Sequence, residues 1–230
     1  MKLRALKAAF PHTIPVFMGY IFMGLVFGIL LRVKGYHFGW ALLMSIVIYA
    51  GSMQYVAVTL LTPGISLIHV AIMTLMVNAR HMFYGLSMIG KFKTMGKKKP
   101  YMIFSLTDET YSLLCGAVPL PGVDENWFYF FVSLLNQLYW IVGCTLGGIL
   151  GSFFTFETKG MDFAMTALFV VIFIEQWKSS KNHTSALLGI IISIICLLAF
   201  GADYLIIPAM IGIFLALTLL RSKLDDGREE

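Results

Sequence analysis

From Lys34 to Arg80 the chain carries no Asp, Glu, Lys or Arg. Similar charge-free runs lie between Lys7 and Arg32, Glu125 and Glu157, Lys181 and Asp203, and Asp203 and Arg221. A helix that crosses the hydrocarbon core of a bilayer needs about 20 mostly apolar residues, so the longest run holds two crossings. Charged residues make up only 13 % of the chain, about half the share usual in soluble proteins, and 59 % are hydrophobic. That is too little charge to cover the surface of a soluble globule and too much apolar residue for disorder. Three cysteines in 230 residues are too few for a disulfide-stapled domain. The basic residues sit at the ends of apolar runs and form no stripe, which argues against a nucleic-acid partner. The runs are continuous and hold many of the 21 glycines, unlike the alternating strands of a β-barrel. What remains is an all-α, polytopic transmembrane helical bundle, multi-pass in a cell membrane, with the lipid bilayer as its surroundings.

Spans are predicted at 14–31, 39–61, 65–89, 101–118, 127–150, 163–177, 184–200 and 203–220, giving seven or eight helices in one transmembrane domain over 1–221. A short charged tail follows at 222–230. Turn signals at Thr62-Pro63-Gly64, Pro119-Leu120-Pro121-Gly122 and Lys178-Ser179-Ser180-Lys181 separate the runs. The four tryptophans lie mostly near predicted ends, where indole favours the interface. The basic start, Met1 to Ala8, precedes an apolar run with no small-x-small site, so a membrane helix is expected there and not a cleaved leader. Cytoplasmic segments are rich in Lys and Arg. The N-terminus (Lys2, Arg4, Lys7) and the five lysines between Lys91 and Lys99 both qualify. Three simple crossings would put them on opposite sides. One of the first three segments is therefore expected not to cross fully. The candidate is 39–61, which Tyr49-Ala50-Gly51-Ser52-Met53-Gln54 interrupts; the other reading is that the charge rule fails here. An interrupted helix is tolerated at membrane depth where it lines a cavity.

Polar groups at membrane depth are costly and are read first as functional. Four clusters qualify. Gly51, Ser52 and Gln54 can unwind a helix and offer backbone groups to a substrate, or can simply pack helices closely. In Asn78-Ala79-Arg80-His81, the planar fork of Arg80 can grip a carboxylate and His81 can carry a proton; equally, both can face the interface at a helix end. Asp108 and Glu109 point about 100° apart on a helix, so one can pair with Arg80 while the other titrates, or both can form structural ion pairs. Asn136 and Gln137 favour a packing role between helices. Gly24 and Gly28 form one small-residue face and Gly143, Gly147 and Gly151 another, and either can meet a helix of this chain or of a partner. No CxxC, HExxH, GxGxxG or Walker loop is present, the five histidines are scattered, and no metal or cofactor is expected.

At these clusters the chain resembles the AzlC-like branched-chain amino acid permeases. Tyr49 to Gln54 is similar to the family's YAGSAQF-type motif, Asn78 to Gly85 to its N-x-RH-x-x-YG, and Thr107 to Tyr111 to its T-DE-x-Y. Pro15 to Gly28 resembles the first helix, and Gly160-Met161-Asp162-Phe163 with Ala167-Leu168-Phe169 the GLDFA…ALF segment. Met53 and Ala79 depart from the residues common there. The resemblance runs in order over about residues 10–177. It implies a secondary transporter that exports branched-chain amino acids across the bacterial cytoplasmic membrane, with Leu, Ile, Val and, as a further candidate, Met as substrates. It also implies a second, much smaller membrane subunit of the AzlD type.

The residues taken together make Gly51, Ser52, Gln54, Asn78 and Arg80 the expected substrate ligands and Asp108, Glu109 and His81 the expected proton-coupling groups. Two alternatives are weaker. An intramembrane enzyme built on His81 and Asp108 lacks a nucleophile or metal on one helix. A non-transporting assembly subunit leaves Arg80, Asp108 and Glu109 without a task.

Overall fold

The computed structural model describes residues 2–61, 65–117, 119, 121–153, 170, 173–174, 177–178 and 183–220. Among them lie nine α-helices, one 3-10 segment and no strand, as expected of a helical membrane bundle. The chain divides into two compact units, Met1–Met165 and Thr166–Glu230. In the second, α8 (Thr184–Tyr204) and α9 (Ile206–Leu219) match the last two predicted spans, with a break at Gly201, whose φ of 75° suits glycine. The predicted span 163–177 falls mostly, and the charged tail 222–230 wholly, outside the described residues.

The first unit holds α1 (Lys2–Val33), α2 (Phe38–Val47), α3 (Gly51–Leu60), α4 (Leu67–Phe92), α5 (Lys99–Phe104), α6 (Asp108–Gly116) and α7 (Glu125–Leu150). The starts follow local chemistry. Ser66, Thr107 and Asp124 each accept a hydrogen bond from a first-turn amide of α4, α6 and α7, the standard way to satisfy an orphan N–H. Helix α1 begins twelve residues before the predicted span because Ala5, Ala9 and Thr13, four apart, present one small, buried face. Among the described residues, three helices are long and apolar enough to cross a membrane: Lys2–Val33, Glu125–Leu150 and Thr184–Gly201. Large apolar side chains such as Phe22 and Leu75 point outward, while Gln54, Thr110 and Asn136 are buried, the inversion expected of a chain dissolved in lipid.

Helices α1 and α7 run parallel and touch through their backbones. A Cβ on Gly24 would lie 2.7 Å from the Cys144 amide nitrogen, and one on Gly143 would lie 2.8 Å from the Tyr20 carbonyl oxygen. Gly28 faces the backbone of Cys144, Gly147 and Gly148, and Gly147 faces that of Leu25. The glycine face of α7, read from sequence as a possible seat for a foreign helix, is filled by α1 of the same chain.

The expected interruption of 39–61 is present, and a second one was not anticipated. Helix α2 descends along α7: Phe38 packs on Gly148, while the Gln137 amide donates to the Ile46 carbonyl at 3.4 Å. The chain then breaks at Ile48-Tyr49-Ala50, where Tyr49 takes a left-handed φ of 43°. Helix α3 climbs back, with the Tyr55 hydroxyl on the Met23 carbonyl at 2.6 Å. The Tyr36 hydroxyl donates to the Leu61 carbonyl at 3.1 Å, so the chain enters α2 and leaves α3 at the same end of α1. Each arm has 10 residues, about 15 Å at 1.5 Å per residue, half of a hydrocarbon core.

The predicted single span 101–118 is likewise two helices. Helix α5 starts where Lys98 lies over the Trp127 ring, 3.6 Å from its centroid, and rises past Gln137, which accepts from the Tyr101 hydroxyl at 2.8 Å. The chain breaks at Ser105-Leu106-Thr107, and α6 returns to where Lys91 donates to the Leu114 carbonyl. The break follows from Thr107, an N-cap followed by two acidic residues that favour a helix start. Two helical hairpins thus enter from opposite ends and meet midway. Lys2 and Lys98 both lie over Trp127, which puts the two basic segments at one end. That is what the charge distribution requires of a first hairpin that does not cross.

Candidate site at the meeting of two broken helices

Arg80, midway along α4, joins the two hairpin tips. Its Nη2 donates to Ser52 Oγ at 2.5 Å and pairs with Asp108 Oδ2 at 3.0 Å. Ser52 lies in the first turn of α3 and Asp108 begins α6. The pair is partly open, with 29 % of the Arg80 side chain and 16 % of the Asp108 side chain exposed.

Around this bridge the other polar groups sort by helix. Gln54 is fully buried, and its Oε1 accepts from Trp140 Nε1 at 2.8 Å. The same Trp140 ring lies 3.3 Å from where a Cβ on Gly51 would stand. The Glu109 carboxylate accepts from the Tyr20 hydroxyl at 2.7 Å, and that hydroxyl lies 2.6 Å from Thr107 Oγ1. Thr107 and Thr110 share a hydrogen bond of 2.9 Å, and the buried Asn136 donates to Thr110 Oγ1 at 3.0 Å. A run of side chains from α1, α6 and α7 therefore ends on Glu109, which has no ion-pair partner among the described residues. Tyr84 stacks on Tyr111 with centroids 4.4 Å apart, walling the site beside Asp108.

Several buried polar atoms here have no partner: Tyr49 Oη, Gln54 Nε2, Arg80 Nε, Ser105 Oγ, Asp108 Oδ1 and Asn136 Oδ1. Leaving a buried donor or acceptor unmatched costs about 1–3 kcal/mol each. Their concentration at two helix breaks makes this the candidate site, since discontinuous helices at membrane depth are tolerated where they line a cavity.

Of the residues expected from sequence, Ser52, Arg80 and Asp108 meet at the bridge, while Gly51 and Gln54 lie on Trp140 and Glu109 on Tyr20, two rings that pack edge to face. Asn78 and His81 do not join the bridge. Asn78 stands two residues from Arg80, about 200° around the helix. His81 Nδ1 hydrogen-bonds the Asn78 carbonyl at 3.2 Å, and the ring packs edge-on against Tyr84. Gln137 holds the packing role expected of it, tying α2 to α5. Asn136, expected to do the same, lies in the site. Sequence reasoning missed Tyr20 and Trp140. Each is a polar aromatic in the middle of an apolar span, far from the interface such residues favour, and that was the available signal.

A family model described as AzlC protein matches residues 15–154, which contain both hairpins and every partner of Arg80. The branched-chain amino acid transport protein AzlC of Bacillus subtilis is 48 % identical over 221 residues, covering 96 % of this chain and 87 % of that protein. An uncharacterized membrane protein of Helicobacter pylori strain J99 is 49 % identical over 223 residues, covering 97 % and 98 %. Inner membrane protein YgaZ of Escherichia coli is 26 % identical over 187 residues, covering 77 % and 76 %. No solved structure matches the chain.

Proposed function

The chain belongs to the AzlC protein family, and from that premise we propose that it is a secondary transporter, not an enzyme, exporting Leu, Ile and Val across the cytoplasmic membrane, with Met a further candidate substrate. One observation carries the reading: a buried, partly unsatisfied polar cluster sits where two broken helices meet, bridged by Arg80. Gly51, Ser52, Gln54 and Arg80 hold the substrate there. Asn78 is a more distant support on α4. The apolar walls suit an aliphatic side chain.

Export is driven by protons, and the two carboxylates divide the work. Protonating Asp108 gives up its ion pair with Arg80. Glu109 is held by one hydroxyl, so it can gain or lose a proton without breaking an ion pair. Glu109 is therefore the carrier, Asp108 the electrostatic latch on Arg80, and His81 the next candidate. The functional unit includes a small membrane subunit of the AzlD type. Its seat is not the Gly143–Gly147 face, which α1 occupies.

Efflux of radiolabelled leucine from loaded cells, and from liposomes holding the chain with and without the small subunit, tests this reading. Uphill efflux is expected only with both subunits. Uphill efflux by the single chain removes the partner, and absence of leucine flux in both preparations refutes the transport reading.

A further inference from the structure

We propose that Glu109, Tyr20, Thr107, Thr110 and Asn136 form one reversible hydrogen-bond chain whose direction reports whether Glu109 holds a proton, with Tyr20 the positioning residue that joins Glu109 to it. The proposal rests on the reading of Glu109 as the proton carrier and adds the groups that sense the proton.

The hydrogens can be counted. Four contacts run in a row: Glu109 to the Tyr20 hydroxyl at 2.7 Å, Tyr20 to Thr107 Oγ1 at 2.6 Å, Thr107 to Thr110 Oγ1 at 2.9 Å, and Thr110 to Asn136 Nδ2 at 3.0 Å. Each needs one hydrogen, and Asn136 Nδ2 supplies the last. The three hydroxyls have one hydrogen each, which rotates to suit its partners. With Glu109 ionised, one order fills every contact: Thr110 donates to Thr107, Thr107 to Tyr20, and Tyr20 to the carboxylate. A Thr107 hydrogen placed on Thr110 while Tyr20 donates to the carboxylate would leave the 2.6 Å contact with none. With Glu109 protonated, its O–H can donate to Tyr20, Tyr20 to Thr107 and Thr107 to Thr110, the reverse order. In both orders Thr107 Oγ1 still accepts from the Thr110 amide, the cap that starts α6.

The far end has a place for the hydrogen that reversal displaces. Asn136 Oδ1 is buried without a partner, and turning that amide over brings the oxygen to the Thr110 hydroxyl in place of Nδ2. Tyr20, Thr107, Thr110 and Asn136 are all buried, so water is a poor substitute for any of these partners. No O–H bond of the three hydroxyls breaks; they turn, and Glu109 alone gains or loses a proton. The other ionisable groups that act on Glu109 are Asp108 and Arg80, which pair with each other, and Tyr49 and Tyr84. The chain ties the break before α6 to α1 through Tyr20 and to α7 through Asn136. Both orders keep those ties, so Glu109 loads a proton without loosening the second hairpin, whereas a proton on Asp108 gives up Arg80.

Infrared difference spectra of the purified chain between alkaline and acid pH show the carbonyl band of protonated carboxyl groups, and the part missing in Glu109→Gln belongs to Glu109. Tyr20→Phe keeps the ring that packs edge to face on Trp140 and removes the hydroxyl. Thr110→Val cuts the chain beyond Thr107. Both should move the Glu109 band, Tyr20→Phe the further, and Thr110→Ser, which keeps a hydroxyl, should restore it. In proteoliposomes holding the chain with its small subunit, the ratio of uphill efflux to downhill leucine exchange should fall about tenfold in Tyr20→Phe, the worth of one hydrogen bond to a charged group. Melting temperatures show which variants fold, and if Tyr20→Phe does not, Thr110→Val against Thr110→Ser decides. If wild type moves no leucine yet the band shifts in this order, the chain stands and the transport reading falls. If leucine is pumped and Tyr20→Phe keeps the wild-type band or ratio, or the band moves there but not in Thr110→Val, the chain is overturned and the transport reading stands. If Glu109→Gln removes no band, Glu109 takes up no proton, and the chain and the carrier reading fall together.

Discussion

Gly147→Ala tests the α1–α7 packing on which both hairpins lean. The added methyl group would press on the carbonyl and Cα of Leu25, which belong to the backbone of α1 and cannot rotate away. Overpacking a well-fitted contact costs about 1–3 kcal/mol, and a clash with backbone belongs at the upper end. Alanine returns about 1 kcal/mol through its better helix propensity. The net loss is about 2 kcal/mol, roughly 30-fold in the ratio of folded to unfolded protein. Gly19→Ala in α1 is the control. A Cβ there meets nothing within 4 Å, so it should be neutral or stabilising by up to about 1 kcal/mol. Equilibrium unfolding of the purified single chain in mixed micelles, followed by circular dichroism, measures both. If Gly147→Ala is as stable alone as wild type but no longer retains its small subunit, the glycine face belongs to the partner and the packing argument is wrong.

Gln54→Leu removes the acceptor for Trp140 and the free donor together, and should lower leucine exchange at least tenfold with the protein still in the membrane; exchange at the wild-type rate would place the substrate elsewhere. Glu109→Gln should abolish uphill efflux and leave downhill leucine exchange measurable, an outcome that an uncoupler should copy in wild type. Asp108→Asn leaves Arg80 without its ion-pair partner and should depress uphill efflux and exchange together. Continued pumping by both neutral variants would move the proton to His81 or make the coupling ion something else.

Much of this protein was written in local order along the chain. The charge-free runs dictated helices in lipid, because neither loops nor sheet edges can leave backbone groups unpaired there. Tyr49 to Gln54 foretold the first break, since small and polar residues interrupt an apolar run at that point. The two basic segments pointed to a first hairpin that does not cross, and the fold sets both segments at one end, on Trp127. Residues near these signals, Ser52, Arg80 and Asp108, were legible as a candidate site because charge at membrane depth is costly enough to need a reason.

Other features existed only once the chain was folded. The second break was hidden because 101–118 is apolar enough to read as one span, and its cue, the cap at Thr107, looks the same at the start of any helix. A small-residue face says that some helix comes close and is silent on which one; only the fold assigned Gly147 to α1. Nothing local ties Trp140 to Gln54 or Tyr20 to Glu109; packing alone brought them together. The meeting of Arg80 with Ser52 and Asp108 joins residues 28 positions apart on either side of Arg80. Such contacts depend on how hairpins from opposite ends of the molecule come to rest. Periodicity and propensity act over a turn or two of helix, so they carry no information about that meeting.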